Sequence, residues 1–450
     1  MGQLQAAGHE LTPRPEEADV LVVNTCSFID PARQESVDTI LEMAEYKRTA
    51  GVRRLVVAGC MVERHRGEIR ASLPEVDGLV GTNEIERIVA VCEGAEPEAA
   101  PMAPYLYHER TPRVLSTPGH YAYVKIAEGC DHPCSFCVIP QFRGRFRSRR
   151  FESVVREAAG LLARGVREIN LIGQDTTSYG EDLGVKDGLA LLLERLAALP
   201  TPHEKWIRFL YAYPNRVTQR LLDAIAAHDA LVKYIDIPLQ HASREVLRRM
   251  NRGGGGEQFL RLIERIRRTI PGVAVRTSMI VGFPGETEGD FDELCQFVRA
   301  AAFDRLGVFS YSDEETSGSF LLDGKVDRRT IYNRKRRLMS IQRRISRERN
   351  RRLVGSELPV LVEGPAAETH LLWTGRLPTQ APEIDGVCFI NDDGGHPLRP
   401  GEIRRLRIGK ALDYDLVGAV VDASEPAVAP AASIFPILTG EGWSPAGRAM

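Results

Sequence analysis

The sequence predicts an α/β chain in three parts: a parallel α/β domain, an open β/α barrel and a small all-β barrel. Three observations carry this reading. Short apolar runs alternate with helical patterns through the first hundred residues, and again between about 120 and 310. A loop with three cysteines follows the first strand of the second series. The last patterned stretch holds only short β segments broken by Gly and Pro turns.

In the first part, strands are expected at 19–24, 54–58 and 79–81, with helices behind them. Pro31 opens the first of these helices and Asp30 is its expected cap. A second helix is expected from about Val62, and Asn83 is expected to cap the third. Cys26 and Cys60 stand just past two strand ends. In a parallel sheet those ends share one edge, so both thiols are expected at one ligand-binding crevice. Met1 to Gly8 reads as a helix stopped by glycine, with no strand before it. Cys92 follows the apolar helical pattern of Ile85, Ile88 and Val89 and is expected in the core.

Residues 93–118 read as a Pro/Ala/Glu-rich linker. Six strands are then expected near 121–126, 168–172, 207–211, 233–237, 274–281 and 305–309, which makes a partial (β/α)6 barrel. Their C-terminal ends carry the cysteine loop, Gly173-Gln174-Asp175, Tyr213-Pro214, Gln240-His241, Gly282-Phe283-Pro284-Gly285-Glu286 and Tyr311-Ser312. Asp236 and His241 are expected at the barrel mouth, as substrate contacts or in structural hydrogen bonds. A basic helix, 328–352, leads into five short strands near 359–363, 370–373, 387–390, 403–408 and 416–421, the pattern of a small oligonucleotide-binding-type barrel. The expected domains are 1–100, 118–352 and 355–421. The Ala/Pro-rich tail, 422–450, is expected to be disordered.

Bulk properties narrow the function. The 450 residues suit about three domains. With 43% hydrophobic and 27% charged residues and no long apolar run, the chain reads as soluble, without membrane or export signals, and so as cytoplasmic. A net charge of −2 excludes a generally polycationic nucleic-acid binder. Eight cysteines without an export signal point to metal or redox use.

Cys130, Cys134 and Cys137 have the spacing C-x3-C-x2-C. Three thiolates on one short loop can bind three irons of a 4Fe–4S cluster and leave the fourth open. An open iron can chelate the amino and carboxylate groups of S-adenosylmethionine, and one electron then yields a 5′-deoxyadenosyl radical. The alternative is a zinc knuckle with His120 or His132 as fourth ligand. Cys295 and Cys388 read as core residues. Arg143, Arg145, Arg147, Arg149 and Arg150, interleaved with Phe142 and Phe146, suit contacts to RNA or an acidic loop, or else a solvated lid or internal ion pairs. The runs Arg334-Lys335-Arg336-Arg337 and Arg343-Arg344 suit a solvated helix face or RNA.

Together these motifs resemble the methylthiotransferases, a subgroup of the radical S-adenosylmethionine enzymes, from Gly8 to about Val421. The resemblance implies an N-terminal domain with a second, auxiliary 4Fe–4S cluster, a radical-forming barrel, and a C-terminal TRAM domain that binds substrate. It implies that Cys130, Cys134 and Cys137 hold the radical cluster. Val23-Asn24-Thr25-Cys26 and Ala58-Gly59-Cys60 look like two ligands of the auxiliary cluster. The family's first ligand lies in a preceding strand and turn that this sequence lacks, so about one cluster per chain is expected. Phe136 is implied near adenine, Gly173, Gln174 and Asp175 near the methionine amino group, and Gly282 and Gly285 where backbone approaches the cofactor.

The segments Gln174-Asp175-Thr176-Thr177-Ser178-Tyr179-Gly180 and Tyr234-Ile235-Asp236-Ile237-Pro238-Leu239-Gln240-His241 are similar to the branch that modifies an aspartate of small-subunit ribosomal protein 12. The branch that modifies a tRNA adenosine tends to carry Gln-Asn-Val-Asn and His-Leu-Pro-Val-Gln-Ser there. The implied partners are the ribosomal protein or small subunit, an electron donor and a sulfur source. A tRNA methylthiotransferase and a non-catalytic ribosome- or RNA-binding protein are the alternatives.

Overall fold

The computed structural model describes residues 1–95, 105–367 and 369–422. Part of the expected linker and all of the expected tail from 423 onward lie outside the described residues.

The first domain is a parallel sheet ordered β1 (Val20–Thr25), β2 (Arg54–Gly59), β3 (Gly78–Val80). Alternation along the strands gives it two apolar faces. Leu21, Val23, Leu55 and Val57 pack against helices Asp30–Thr49 and Cys60–Ser72. Val56, Ala58 and Val80 pack against Leu4, Ile88 and Val91 from the other side. Three local expectations change. Asp30 is the first helical residue and Ile29 takes the cap position, so Pro31 stands second. The helix after β2 starts at Cys60, directly on the strand end. Asn83 caps no helix; its Oδ1 accepts from the Tyr105 amide at 3.1 Å.

The second domain has six parallel strands: β4 (Tyr121–Lys125), β5 (Glu168–Ile172), β6 (Trp206–Phe209), β7 (Tyr234–Asp236), β8 (Ala274–Val281) and β9 (Arg305–Ser310). They form two three-stranded sheets. The sheets are joined beside β6 by the Ile207–Leu231 bridge and the bond from Ile207 N–H to Ala230 C=O at 2.8 Å. One face of each strand, including Val124, Leu171, Ile207, Phe209 and Val275, is buried under the helices in one continuous core.

The third domain closes as a barrel from β10 (Glu357–Ala366), β11 (Thr369–Arg376), β12 (Cys388–Asp392), β13 (Ile403–Ala411) and β14 (Leu416–Val420), in the order β10-β11-β12-β14-β13. It seats on the inner side of the open barrel. Leu361, Ala381 and Ile403 pack against Trp206, Leu210, Tyr234 and Ala274. Polar pairs surround this contact. Glu168 lies between Arg208 at 2.9 Å and Arg376 at 2.7 Å, all three essentially without solvent contact. The Tyr121 and Tyr234 hydroxyls donate to Glu383 and Asp385, each at 2.7 Å. Tyr121, Glu168, Trp206, Tyr234 and Ala274 are the first residues of their strands. The small barrel therefore plugs the base, at the opposite end from the cysteine loop. Removing one partner of such a buried pair costs about 3–5 kcal/mol, so the two barrels are locked together.

Helix Arg328–Arg351 runs antiparallel to β9. Arg334 pairs with Glu286 at 3.1 Å beside the mouth, and Arg349 pairs with Asp304 at 2.7 Å at the base. Among the described residues no helix is long and apolar enough to cross a membrane.

Candidate active site at the barrel mouth

The cysteine loop begins at Gly129, whose φ is +82°. A Cβ there would lie 2.2 Å from the Arg145 carbonyl oxygen, so only glycine lets the loop fold against the returning chain. Ser135 pins the loop to the barrel. Its N–H donates to Met250 C=O at 3.0 Å, its hydroxyl donates to Arg249 C=O at 2.8 Å, and its carbonyl accepts from Ser319 N–H at 2.7 Å. Cys130, Cys134 and Cys137 are all half-buried. Burial raises the Cys130 thiol to about 11 and the Cys137 thiol to about 12.

A ring of side chains holds the loop from the facing strand ends. His132 Nε2 donates to the Asp175 carboxylate at 2.7 Å, and the ring stacks on Tyr213, with ring centres 3.7 Å apart and planes 8° from parallel. Arg252 lies over the Tyr213 ring at 4.6 Å, donates to Pro238 C=O at 2.8 Å and reaches Cys134 Sγ at 3.5 Å. This cation faces the thiols and would offset the negative charge of a thiolate cluster.

The predicted cofactor residues fall into different roles. Asp175 is 2% exposed, and its carboxylate is filled by His132, the Thr177 amide and hydroxyl, and the Ser178 hydroxyl. It reaches the site through His132. Gln174 donates to Glu128 at 3.4 Å and leaves its Oε1 buried and unpartnered, an acceptor suited to an ammonium donor. A Cβ on Gly173 would meet nothing closer than 3.7 Å. Phe136 packs on the barrel core. Gly282 and Gly285 have φ of +79° and +85°, and the close neighbours of a Cβ would be Ile331 and Arg249. The amides of Gly282 and Phe283 are taken by Glu286 at 2.5 and 3.1 Å. Burial raises that carboxyl to about 7. Asp236 and His241 are both fully buried. Asp236 binds Arg276 at 2.7 Å and the Tyr211 amide at 3.0 Å, and His241 Nδ1 accepts from Ser243 N–H at 3.0 Å. Both are wall residues of the mouth, with structural partners.

Neither zinc candidate completes a site with the thiols. His120 precedes β4, at the base, 3.7 Å from Glu363. His132 is committed to Asp175 and Tyr213. Among the described residues no three His, Cys, Asp or Glu side chains converge as closely as a single metal ion requires. A four-iron cluster spaces its thiolates more widely, each on a different iron. Three thiols on one pinned loop, a cation facing them and an orphaned acceptor beside them fit that group.

The N-terminal sheet meets this mouth. Thr25 pairs with Gly59, so Cys26 and Cys60 leave the sheet side by side, as the parallel pattern requires. Cys60 packs against Val138 and Phe142, from the helix that follows the cysteine loop. Arg143 of that helix donates to Cys60 Sγ at 2.9 Å and to Glu128 at 3.3 Å. Asp30 N–H and Arg64 reach Glu314 at 2.8 and 3.3 Å, beyond the end of β9. Cys92 cannot join this edge. It lies in the core with Val56 and Val91, near Arg54 at the start of β2. Two thiols are fewer than a 4Fe–4S cluster takes, so the residues at this edge do not by themselves fit one.

Sequence reasoning missed Tyr213, Arg252 and Glu128 as supports. Tyr213-Pro214 stood out as a strand end without a role; Arg252 carried no local signal. Of the five arginines after the loop, Arg149 is buried on Glu157 at 2.6 Å, and Arg143 is used as above.

The chain matches the model of the radical SAM superfamily over residues 124–298, that of the uncharacterized protein family UPF0004 over 1–81, and that of the TRAM domain over 354–421. The ribosomal protein uS12 methylthiotransferase RimO of Solibacter usitatus is 70% identical over 427 residues, covering 95% of this chain and 92% of that protein. The RimO of Koribacter versatilis is 53% identical over 468 residues, covering 94% and 92%. Among solved structures, the radical S-adenosylmethionine methyltransferase TsrM of Kitasatospora setae shares the fold, with a TM-score of 0.50 and 17% identity over 65% of this chain and 63% of that one. With its three domains matched in order and relatives this similar along nearly the entire length, the chain belongs to the RimO family of ribosomal protein uS12 methylthiotransferases.

Proposed function

We propose that Cys130, Cys134 and Cys137 hold a 4Fe–4S cluster, and that the barrel mouth converts a C–H bond at the β-carbon of an aspartate of uS12 into C–SCH3. The observation that carries this is the pinned three-thiol loop with Arg252 against Cys134. No side-chain base removes a proton from unactivated carbon at pH 7, so the reaction needs hydrogen-atom removal. Bound cluster and S-adenosylmethionine supply that chemistry as a 5′-deoxyadenosyl radical.

The chain's own residues do the rest. His132, held by Asp175 and Tyr213, and Ser135 fix the loop so that the thiols do not rearrange. Gln174 Oε1 offers an acceptor for the cofactor's ammonium. The N-terminal sheet edge packs beside the mouth through Cys60, Phe142 and Arg143. Cys26 and Cys60 stand on the sheet edge that meets the mouth, the side from which a sulfur-carrying group would approach. Electrons and sulfur come from outside partners. Exposed cations of helix Arg328–Arg351 without ion-pair partners among the described residues, including Arg328, Arg329 and Arg344, support contact with ribosomal RNA around the substrate.

The test is incubation of anaerobically reconstituted protein with small ribosomal subunits and, separately, with tRNA. The expected outcome is a methylthio group on one uS12 aspartate, read by mass spectrometry. Its appearance on tRNA alone would replace this reading with the tRNA one.

A further inference from the structure

Strand β6 alternates regularly until its end. Trp206 and Leu210 face the C-terminal barrel, while Ile207 and Phe209 pack in the helix layer. Alternation would send residue 211 into the helix layer as well. Instead Tyr211 has φ +64° and is 42% exposed. A non-glycine residue in this region costs about 1–2 kcal/mol. The surrounding structure enforces the conformation. Asp236, with no exposure, holds the Tyr211 amide with one carboxylate oxygen and Arg276 with the other. The Tyr211 carbonyl accepts from Thr176 N–H at 3.2 Å. Glycine would adopt this backbone without strain, so the backbone alone does not explain a tyrosine.

The side chain differs from its neighbour. Tyr213 is committed to His132 and Arg252, whereas the Tyr211 hydroxyl has no partner among the described residues. A tyrosine that serves packing alone buries its ring and bonds its hydroxyl; this one stays 42% exposed, and its hydroxyl meets no partner among the described residues. It stands at the third strand end, two residues before the Tyr213 that stacks on the cysteine loop. A neutral phenol is a hydrogen-bond donor, and a peptide loop bearing an aspartate presents carbonyl and carboxylate acceptors.

We propose that Tyr211 is a substrate-contacting residue whose hydroxyl donates to an oxygen of the uS12 loop that carries the target aspartate. The proposal rests on the functional reading above. Two substitutions separate backbone from side chain. Tyr211→Phe keeps the ring and the strain; Tyr211→Gly keeps the backbone conformation and removes everything else.

The experiment measures the Kd of fluorescently labelled uS12 by anisotropy, together with melting temperature and iron per chain. Tyr211→Phe is expected to bind about tenfold more weakly, the loss of one hydrogen bond to a charged or carbonyl acceptor. Tyr211→Gly is expected to bind still more weakly, with iron unchanged and a melting temperature no lower than that of the unaltered chain. Unchanged affinity in Tyr211→Gly overturns the proposal. So does weaker binding accompanied by a lower melting temperature and lost iron, which marks a structural residue. If the unaltered chain does not bind uS12 at all, the functional reading fails first and the inference falls with it.

Discussion

The cysteine loop after β4 and the sheet edge after β1 and β2 present thiols at parallel strand ends, and they meet at helix Ile139–Arg143. Their construction differs. The loop gathers three half-buried thiols within one turn of chain and is pinned from three directions by Ser135, His132 and Arg252. The edge gathers its thiols from two strands. Cys26 is exposed, held through its backbone by Ser36, and Cys60 is buried under Phe142 and bonded by Arg143. One site is made by sequence spacing and the other by topology. Arg143 joins them, because it bonds both Cys60 and Glu128.

The largest effect should come from the thiols themselves. Cys134→Ala leaves two thiolates on the loop, too few to keep the open-iron geometry. Reductive cleavage of S-adenosylmethionine should fall below detection, by chromatography of 5′-deoxyadenosine, and iron per chain should drop. Cys26→Ala should leave that cleavage within about twofold of the unaltered chain, since nothing in the loop depends on Cys26. Equal losses in both variants would mean that the two edges form one coupled site and would break the comparison.

The difference in construction also explains what the sequence made legible. Glu168–Ile172 and Ala274–Val281 are found where the apolar runs place them, because a short Ile-, Val- and Leu-bearing run between glycines leaves little choice. The cysteine spacing and the shared edge of Cys26 and Cys60 follow from local pattern plus one rule of parallel sheets. Partners far apart in the chain do not. Arg252 meets Cys134 across 118 residues, and no periodicity announces it. Asp236 and His241 look like mouth residues from their place at and just past a strand end, yet their partners draw both into the wall. The glycines of 282–285 signal close approach correctly, but the sequence does not say what approaches; Ile331 and Arg249 do.

Acid should separate the two regions next. Burial depresses the His241 imidazole to about 3, so it is neutral in the folded barrel and protonates readily once unfolded. Its contribution is therefore complete above about 6.5 and is lost as pH falls from there toward 3, up to about 4–5 kcal/mol for a shift of this size. Glu286, raised to about 7, acts with the opposite sign between about 7 and 4.5. The comparison of the unaltered chain with His241→Gln isolates the imidazole. Urea unfolding across pH 7 to 4 should show a flatter acid limb in the variant. Hydrogen exchange should show barrel strands opening before the N-terminal sheet. Parallel acid limbs would place the titrating group elsewhere.

The smallest effect tests the feature that the two regions share. Cys130 and Cys60 each follow a glycine with positive φ, Gly129 at +82° and Gly59 at +106°. Alanine at either position costs about 1–2 kcal/mol for the left-handed backbone alone. The added Cβ then meets backbone, which cannot swing aside as a side chain can. At Gly129 it would lie 2.2 Å from Arg145 O, and at Gly59 it would lie 2.6 Å from Thr25 O. Gly129→Ala should therefore be the more destabilising. It should also lower iron content, because the displaced chain carries Cys130 and pulls against the bond from Cys130 N–H to Gly144 C=O. Gly59→Ala should strain β1 against β2 and move Cys60 away from Arg143, with cleavage of S-adenosylmethionine retained. Denaturant midpoints and iron per chain check both. Loss of iron in Gly59→Ala equal to that in Gly129→Ala would show that the sheet edge supports the cysteine loop through Arg143, and that the two sites fold as one.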